Sequence, residues 1–175
     1  SVRGHTAYLM RSAVDIRYVL FREMGRTTNK FLDSTTFNTD GTVKHMGTNQ
    51  IGRYAIHAHH LIGPEGLPAD TPQFTILGNA IDNASKWGIT IHNSHYGLIS
   101  KNVVYNTQGA SIATEDGQES FNTFEENFTV RTIGSGEPPY GGTGRKVGDY
   151  GHEGAGLWFR GPNNIVRNNV VANTS

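Results

Sequence analysis

The chain has 175 residues, 15 basic and 15 acidic side chains, a formal net charge of zero and no cysteine. That length suffices for one sizeable domain with its own core. Balanced charge argues against a nucleic-acid surface, and the missing cysteines exclude disulfides, thiolate chemistry and cysteine-held zinc.

No apolar run approaches the roughly 20 residues of a membrane helix, so no membrane insertion is expected of this segment. Glycine is high, at 22, and asparagine is frequent. Amphipathic helix spacing is repeatedly interrupted, whereas short β-type runs bounded by Gly and Asn recur. The chain opens inside a patterned segment and stops just after one, NNVVANTS. That is the expectation for a fragment of a longer chain with further domains.

In chain order, HTAYLM (5–10) reads as a strand. VDIRYVLF (14–21) reads as a second, with Val14, Ile16, Tyr18 and Leu20 facing away from Asp15, Arg17, Val19 and Phe21. Residues 27–50 are polar and turn-rich, a surface excursion placed to rim a binding site. A second excursion spans 63–73, and a third spans 133–154.

Between them ILGNAIDN, LISKNVVYN, TFEENFTV and NIVRNNVVAN repeat one pattern. Their aligned asparagines are Asn79, Asn102, Asn127 and Asn168, spaced by 23, 25 and 41 residues. A period in the low twenties built from short β-runs predicts an all-β solenoid, one domain over residues 1–175. Coils stack because none buries its inward face alone, and asparagine suits a recurring corner with left-handed backbone angles.

Three stretches carry polar residues in similar places: GRYAIHAHH (52–60), WGITIHNSH (87–95) and GASIATEDG (109–117). The predicted alignment sets Ile56, Ile91, Ile112 and Phe159 inward, with His57, His92, Ala113 and Arg160 outward. His59, Ser94 and Glu115 follow two residues on. Adjacent coils lie about 4.8 Å apart, so His57, His59, His92 and Glu115 meet on one face. Three imidazoles and a carboxylate form a ligand set for a divalent metal, zinc or calcium. Without metal, the same groups are an acid/base pair or solvated surface histidines. His92, Glu115 and Asp116 are the catalytic candidates, although Asp116-Gly117 also reads as a plain β-turn. Arg53 and Arg160 are candidates for binding an acidic sugar, or else surface ion-pair partners. Trp87 offers a stacking face for a sugar ring, or packs between coils.

GRYAIHAHH, GITIHNSHYGLISKNVVYNTQG and ATEDGQESFNTFEEN resemble the parallel β-helix region of cell-surface and cell-migration-inducing hyaluronidases and of fibrocystin-like proteins. The resemblance implies a right-handed parallel β-helix of the pectin-lyase-like type, extracellular or at the cell surface, with a polysaccharide as partner. It places Arg53, His57, His59, His92, Glu115 and Asp116 on that group's characteristic polar positions. This chain departs from the pattern at Ala110, where the group commonly has histidine, and in having no cysteine. The expected activity is hydrolysis or lyase cleavage of an acidic or amino-sugar polysaccharide. A non-catalytic glycan-binding, adhesion or structural segment is the alternative.

Overall fold

The computed structural model describes residues 3–68, 70–136 and 150–175. The first coil holds β1 (Tyr8–Met10), β2 (Val14–Arg17) and β3 (Leu20–Arg22), followed by a hairpin of β4 (Thr36–Phe37) and β5 (Val43–His45). The second holds β6 (Ile56–Leu61), β7 (Phe74–Leu77) and β8 (Ala80–Asp82). The third holds β9 (Ile89–His92), β10 (Gly97–Ser100) and β11 (Val103–Gln108). The fourth holds β12 (Ala110–Thr114), β13 (Thr123–Glu125) and β14 (Phe128–Ile133), and the fifth β15 (Ala155–Trp158), β16 (Ile165–Arg167) and β17 (Val170–Ala172).

Equivalent strands of successive coils pair in parallel, giving three five-stranded sheets, β1-β6-β9-β12-β15, β2-β7-β10-β13-β16 and β3-β8-β11-β14-β17. We call these sheets A, B and C. The fold is a parallel β-helix. Its core is made of stacked columns: Ile56–Ile89–Ile112 on sheet A, Ile76–Ile99–Phe124 on B, and Phe21–Ile81–Val104 on C. Each of these side chains is buried.

The corner between sheets B and C carries the asparagine ladder. Asn102 Oδ1 accepts from Asn79 N (2.9 Å) and Nδ2 (3.0 Å), and Asn127 Oδ1 repeats this for Asn102. The next rung is Asn169, not Asn168. Asn168 occupies the left-handed corner position before it (φ 55°), as Glu126 and Lys101 do one and two coils back. In an Asn-Asn pair both residues suit a corner, and only stacking tells them apart. A second ladder, Asn122 to Asn164, marks the corner between sheets A and B.

The corner between sheets B and C also divides the first coil. Residues 14–21 form two strands, because Tyr18 turns left-handed (φ 57°) and Val19 N donates to Asn79 Oδ1. The turn resets the alternation, so Phe21 is buried and Leu20 is exposed.

Of the three excursions, the first carries the hairpin. Asn49 fastens its base by donating to the Lys30 and Phe31 carbonyls, and Asp33 accepts from Thr48. Most of the third excursion, residues 137–149, lies outside the described residues.

Candidate functional site

Sheet A pairs Ile56 with Ile89, His57 with Thr90, Ala58 with Ile91 and His59 with His92. The alignment read from sequence set His57 beside His92, two residues out of register. A slip of two preserves the face, because side chains alternate with period two. The outer set therefore survives: Thr114 pairs with Ile91, so the position beyond brings Glu115 next to His92. Ser94 is not in this column. It is buried, and its hydroxyl accepts from Leu61 N at 2.9 Å.

The rings of His57 and His92 lie 5.7 Å apart, and His59 stands 5.0 Å from the first and 4.6 Å from the second. One ligand nitrogen from each of the three lies within 4.8 Å of the others. His60, with no partner predicted, joins them 5.0 Å from His92. A bulge against β1 causes this: Leu9 pairs with His59 and Met10 with Leu61, which leaves His60 turned outward at φ 52°.

Two acids complete the patch. Glu115 is 3% exposed. Its Oε1 accepts from the Tyr54 hydroxyl at 3.1 Å, while Oε2 lies 3.2 Å from His92 Nδ1 and 3.7 Å from His57 Nε2. Neither contact has hydrogen-bond alignment, so Glu115 Oε2 and His57 Nε2 are both buried without a bonded partner. Asp116 is more open. Its Oδ2 meets His92 Nε2 at 2.9 Å and Asn93 Nδ2 at 3.2 Å, and its Oδ1 accepts from the Tyr150 hydroxyl at 3.2 Å.

Burial drives the histidines apart in basicity. It pushes His57 down to about 3, with the neighbouring histidines adding to the effect. Burial also lowers His59, again helped by His92 and His60. Burial opposes charge on His92 too, but contact with Glu115 and Asp116 carries it above 6.5. Burial, then Glu115, holds the Tyr54 hydroxyl protonated.

A cavity of about 680 Å³ opens over this floor. Its walls include Arg53, Ile51 and Leu9, and Ser34, Thr35 and Phe37 from the first excursion, which therefore does rim the site. On the other side Arg160 lies over Tyr150 (4.3 Å) and Trp158 (5.9 Å), and donates to the Glu115 carbonyl at 3.3 Å. Trp87 offers no face to a sugar. It is 1% exposed, stacks on Tyr54 at 4.7 Å and donates to the Gly151 carbonyl. Of its two predicted roles, packing is the one the structure has.

Donor chemistry tests the metal reading. His57 Nδ1 stands 3.0 Å from the Gly52 carbonyl, a bond that requires the ring to carry its proton there. Nε2 is left with a bare lone pair aimed at the cluster, the usual arrangement behind a ligating histidine. Nitrogen ligands on tetrahedral zinc sit about 3.4 Å apart, against the 4.8 Å within which these three nitrogens lie. Three imidazoles suit zinc or a similar ion and are a poor set for calcium, which takes oxygen ligands.

From sequence Tyr54 reads as a sugar-stacking or inter-coil packing ring rather than as a partner of Glu115, and Tyr150 is not marked at all. Tyr54 lies inside the GRYAIHAHH stretch, three residues before His57, so its proximity was readable. Nothing local marks Tyr150, which arrives from the far side of the third excursion.

Human fibrocystin-L is 32% identical over 123 residues, 70% of this chain and 2% of that protein. Human cell migration-inducing and hyaluronan-binding protein is 38% identical over 88 residues, 49% of this chain and 6% of the relative. Human cell surface hyaluronidase CEMIP2 is 33% identical over 91 residues, 51% of this chain and again 6% of the relative. The chain thus spans only 2% to 6% of the length of these relatives. No solved structure matches. Residues 34–175 match the CEMIP beta-helix family, a stretch that holds every strand of the last four coils and the whole histidine–carboxylate patch, and the chain belongs to that family.

Proposed function

We propose that this β-helix acts outside the cell or at its surface on an acidic polysaccharide of alternating uronic acid and amino sugar, and cleaves a glycosidic bond over the histidine floor. The observation that carries the reading is the convergence of His57, His59, His92 and Glu115 on the floor of one cavity, with Asp116 bonded to His92 beside it and the two carboxylates in different settings. Two relatives have hyaluronan-binding or hyaluronidase in their names, which supports this substrate class.

Roles follow from exposure. Asp116, with a side chain 38% exposed and paired to His92, is the acid/base that can reach a leaving-group oxygen. Glu115 is too deep for that step. It fixes His92 and adds negative charge behind the imidazoles. Arg53, on the cavity wall, presents a guanidinium to a uronate carboxylate. His57, His59 and His92 would hold a zinc-type ion, which when bound supplies Lewis acidity at a sugar oxygen or carboxylate.

Reducing-end release and unsaturated-product absorbance, scanned over uronic-acid polymers with and without chelator, test the proposal. Turnover lost in Asp116→Asn and His57→Ala supports it. Glycan binding without turnover in the wild type would leave the binding-module reading, favoured by the name of the hyaluronan-binding relative.

A further inference from the structure

Behind the two acids of the patch lies a third carboxylate. Glu119 is fully buried. Its Oε1 accepts from Asn93 N at 2.9 Å and Asp116 N at 3.0 Å, and its Oε2 accepts from Gly117 N at 2.9 Å. Among the described residues no cation pairs with it in an ion pair. A buried carboxylate is costly unless its hydrogen bonds are met, and here backbone N–H groups alone meet them. Such a concave cluster of N–H groups is what proteins build around a bound anion. In this chain the anion is part of the protein.

The identity of the three donors is informative. Asn93 directly follows His92 and turns left-handed at φ 45°. Asp116 directly follows Glu115, and Gly117 turns left-handed at φ 95°. One carboxylate therefore grips the backbone immediately after a histidine of the third coil and the backbone bearing both acids of the fourth. The fifth coil holds Glu119 in turn: Asn164 Nδ2 donates to its carbonyl at 2.7 Å. Gly161 is needed there, because a Cβ at that position would lie 1.8 Å from the same oxygen. The asparagine ladders would hold the coils together without this charge. What it adds is a fixed relation between the His92 and Asp116 backbones, whose side chains meet at 2.9 Å.

The geometry points to Glu119 as a positioning residue of the site, a buried cross-brace that sets Asp116 and Glu115 against His92 and so preorganises the histidine cluster for a cation. This rests on the metal reading above. Outer partners of metal ligands typically change affinity 10- to 100-fold when mutated. Glu119→Gln keeps the volume but turns an amide N–H₂ toward one of the N–H groups. Gly117→Ala strains the same bond from the opposite side and leaves the charge intact.

The test titrates Co²⁺ into wild type and both variants, following its visible absorption, with thermal midpoints measured on the same samples. Weakening by about 10-fold or more in either variant that keeps a cooperative melt supports the brace. Wild-type affinity in every variant that folds overturns it, whatever happens to the melting temperature. If the wild type itself binds no Co²⁺, the metal reading fails, and a crystal structure of Glu119→Gln decides the brace by itself. Asp116 displaced from His92 supports it, and an unchanged contact overturns it.

Discussion

The asparagine ladder and the histidine patch stand on the same coils and treat polar groups in opposite ways. In the ladder every amide repeats its neighbour's bonds: Asn102 takes two donors on Oδ1, and its Nδ2 donates to the Ile76 carbonyl and to Asn127. In the patch, one column runs from His59 through His92 to Glu115 without a repeating bond, and two buried polar atoms face each other unbonded. Ladder rungs are made for the coil. The patch keeps buried polarity that the coil does not need, which is the mark of a site held for something else.

The largest effect expected from breaking this contrast is on the ladder. Asn102→Ala strands the Asn79 N–H, one Asn79 amide hydrogen and the Ile76 carbonyl in the interior, at about 3–5 kcal/mol in total. Chemical denaturation measures it, and a loss below about 1 kcal/mol would mean that the ladder is ornamental.

Acidification follows in size. His57 has a folded pKa of about 3 against an ordinary 6.5, so between those values the unfolded chain binds the extra proton. Stability of the metal-free protein then falls as pH drops below 6.5, by up to about 1.4 kcal/mol per unit. His92 acts with the opposite sign: its raised pKa adds stability that is complete below 6.5 and lost as pH rises through the folded value. His57→Ala should flatten the acid limb of a denaturation series. An unchanged limb would show that His57 takes up its proton without unfolding.

Glu115→Gln sharpens the contrast from the site's side. At pH 8.5 it removes a buried charge with an unpaired oxygen, so the metal-free protein should gain about 1 kcal/mol while Co²⁺ affinity falls at least about 10-fold. Stability and affinity dropping together would make Glu115 an ordinary structural acid.

Much of this was readable in the chain. The period of Asn79, Asn102 and Asn127 announced the stacking, because a solenoid writes each rung in local sequence. The face shared by His57, His59, His92 and Glu115 was readable as well, since period-two alternation survives an even slip. Register was not. Ile56, Ile89, Ile91 and Ile112 are interchangeable in pattern, and only backbone pairing chooses among them. Trp87 was ambiguous for a related reason: an aromatic residue before a strand looks the same whether solvent or another coil lies above it.

By itself the sequence determined the repeat, the corners and the outward histidines, all consequences of short-range alternation and turn chemistry. Tertiary structure alone decided that His59 faces His92, that Glu115 lies buried while Asp116 stays open, and that Glu119 braces them. Apart from the short reach of Glu119 to Asp116 and Gly117, those relations join residues roughly two dozen to sixty positions apart, and contact at that range depends on how coils stack rather than on any local preference of the chain.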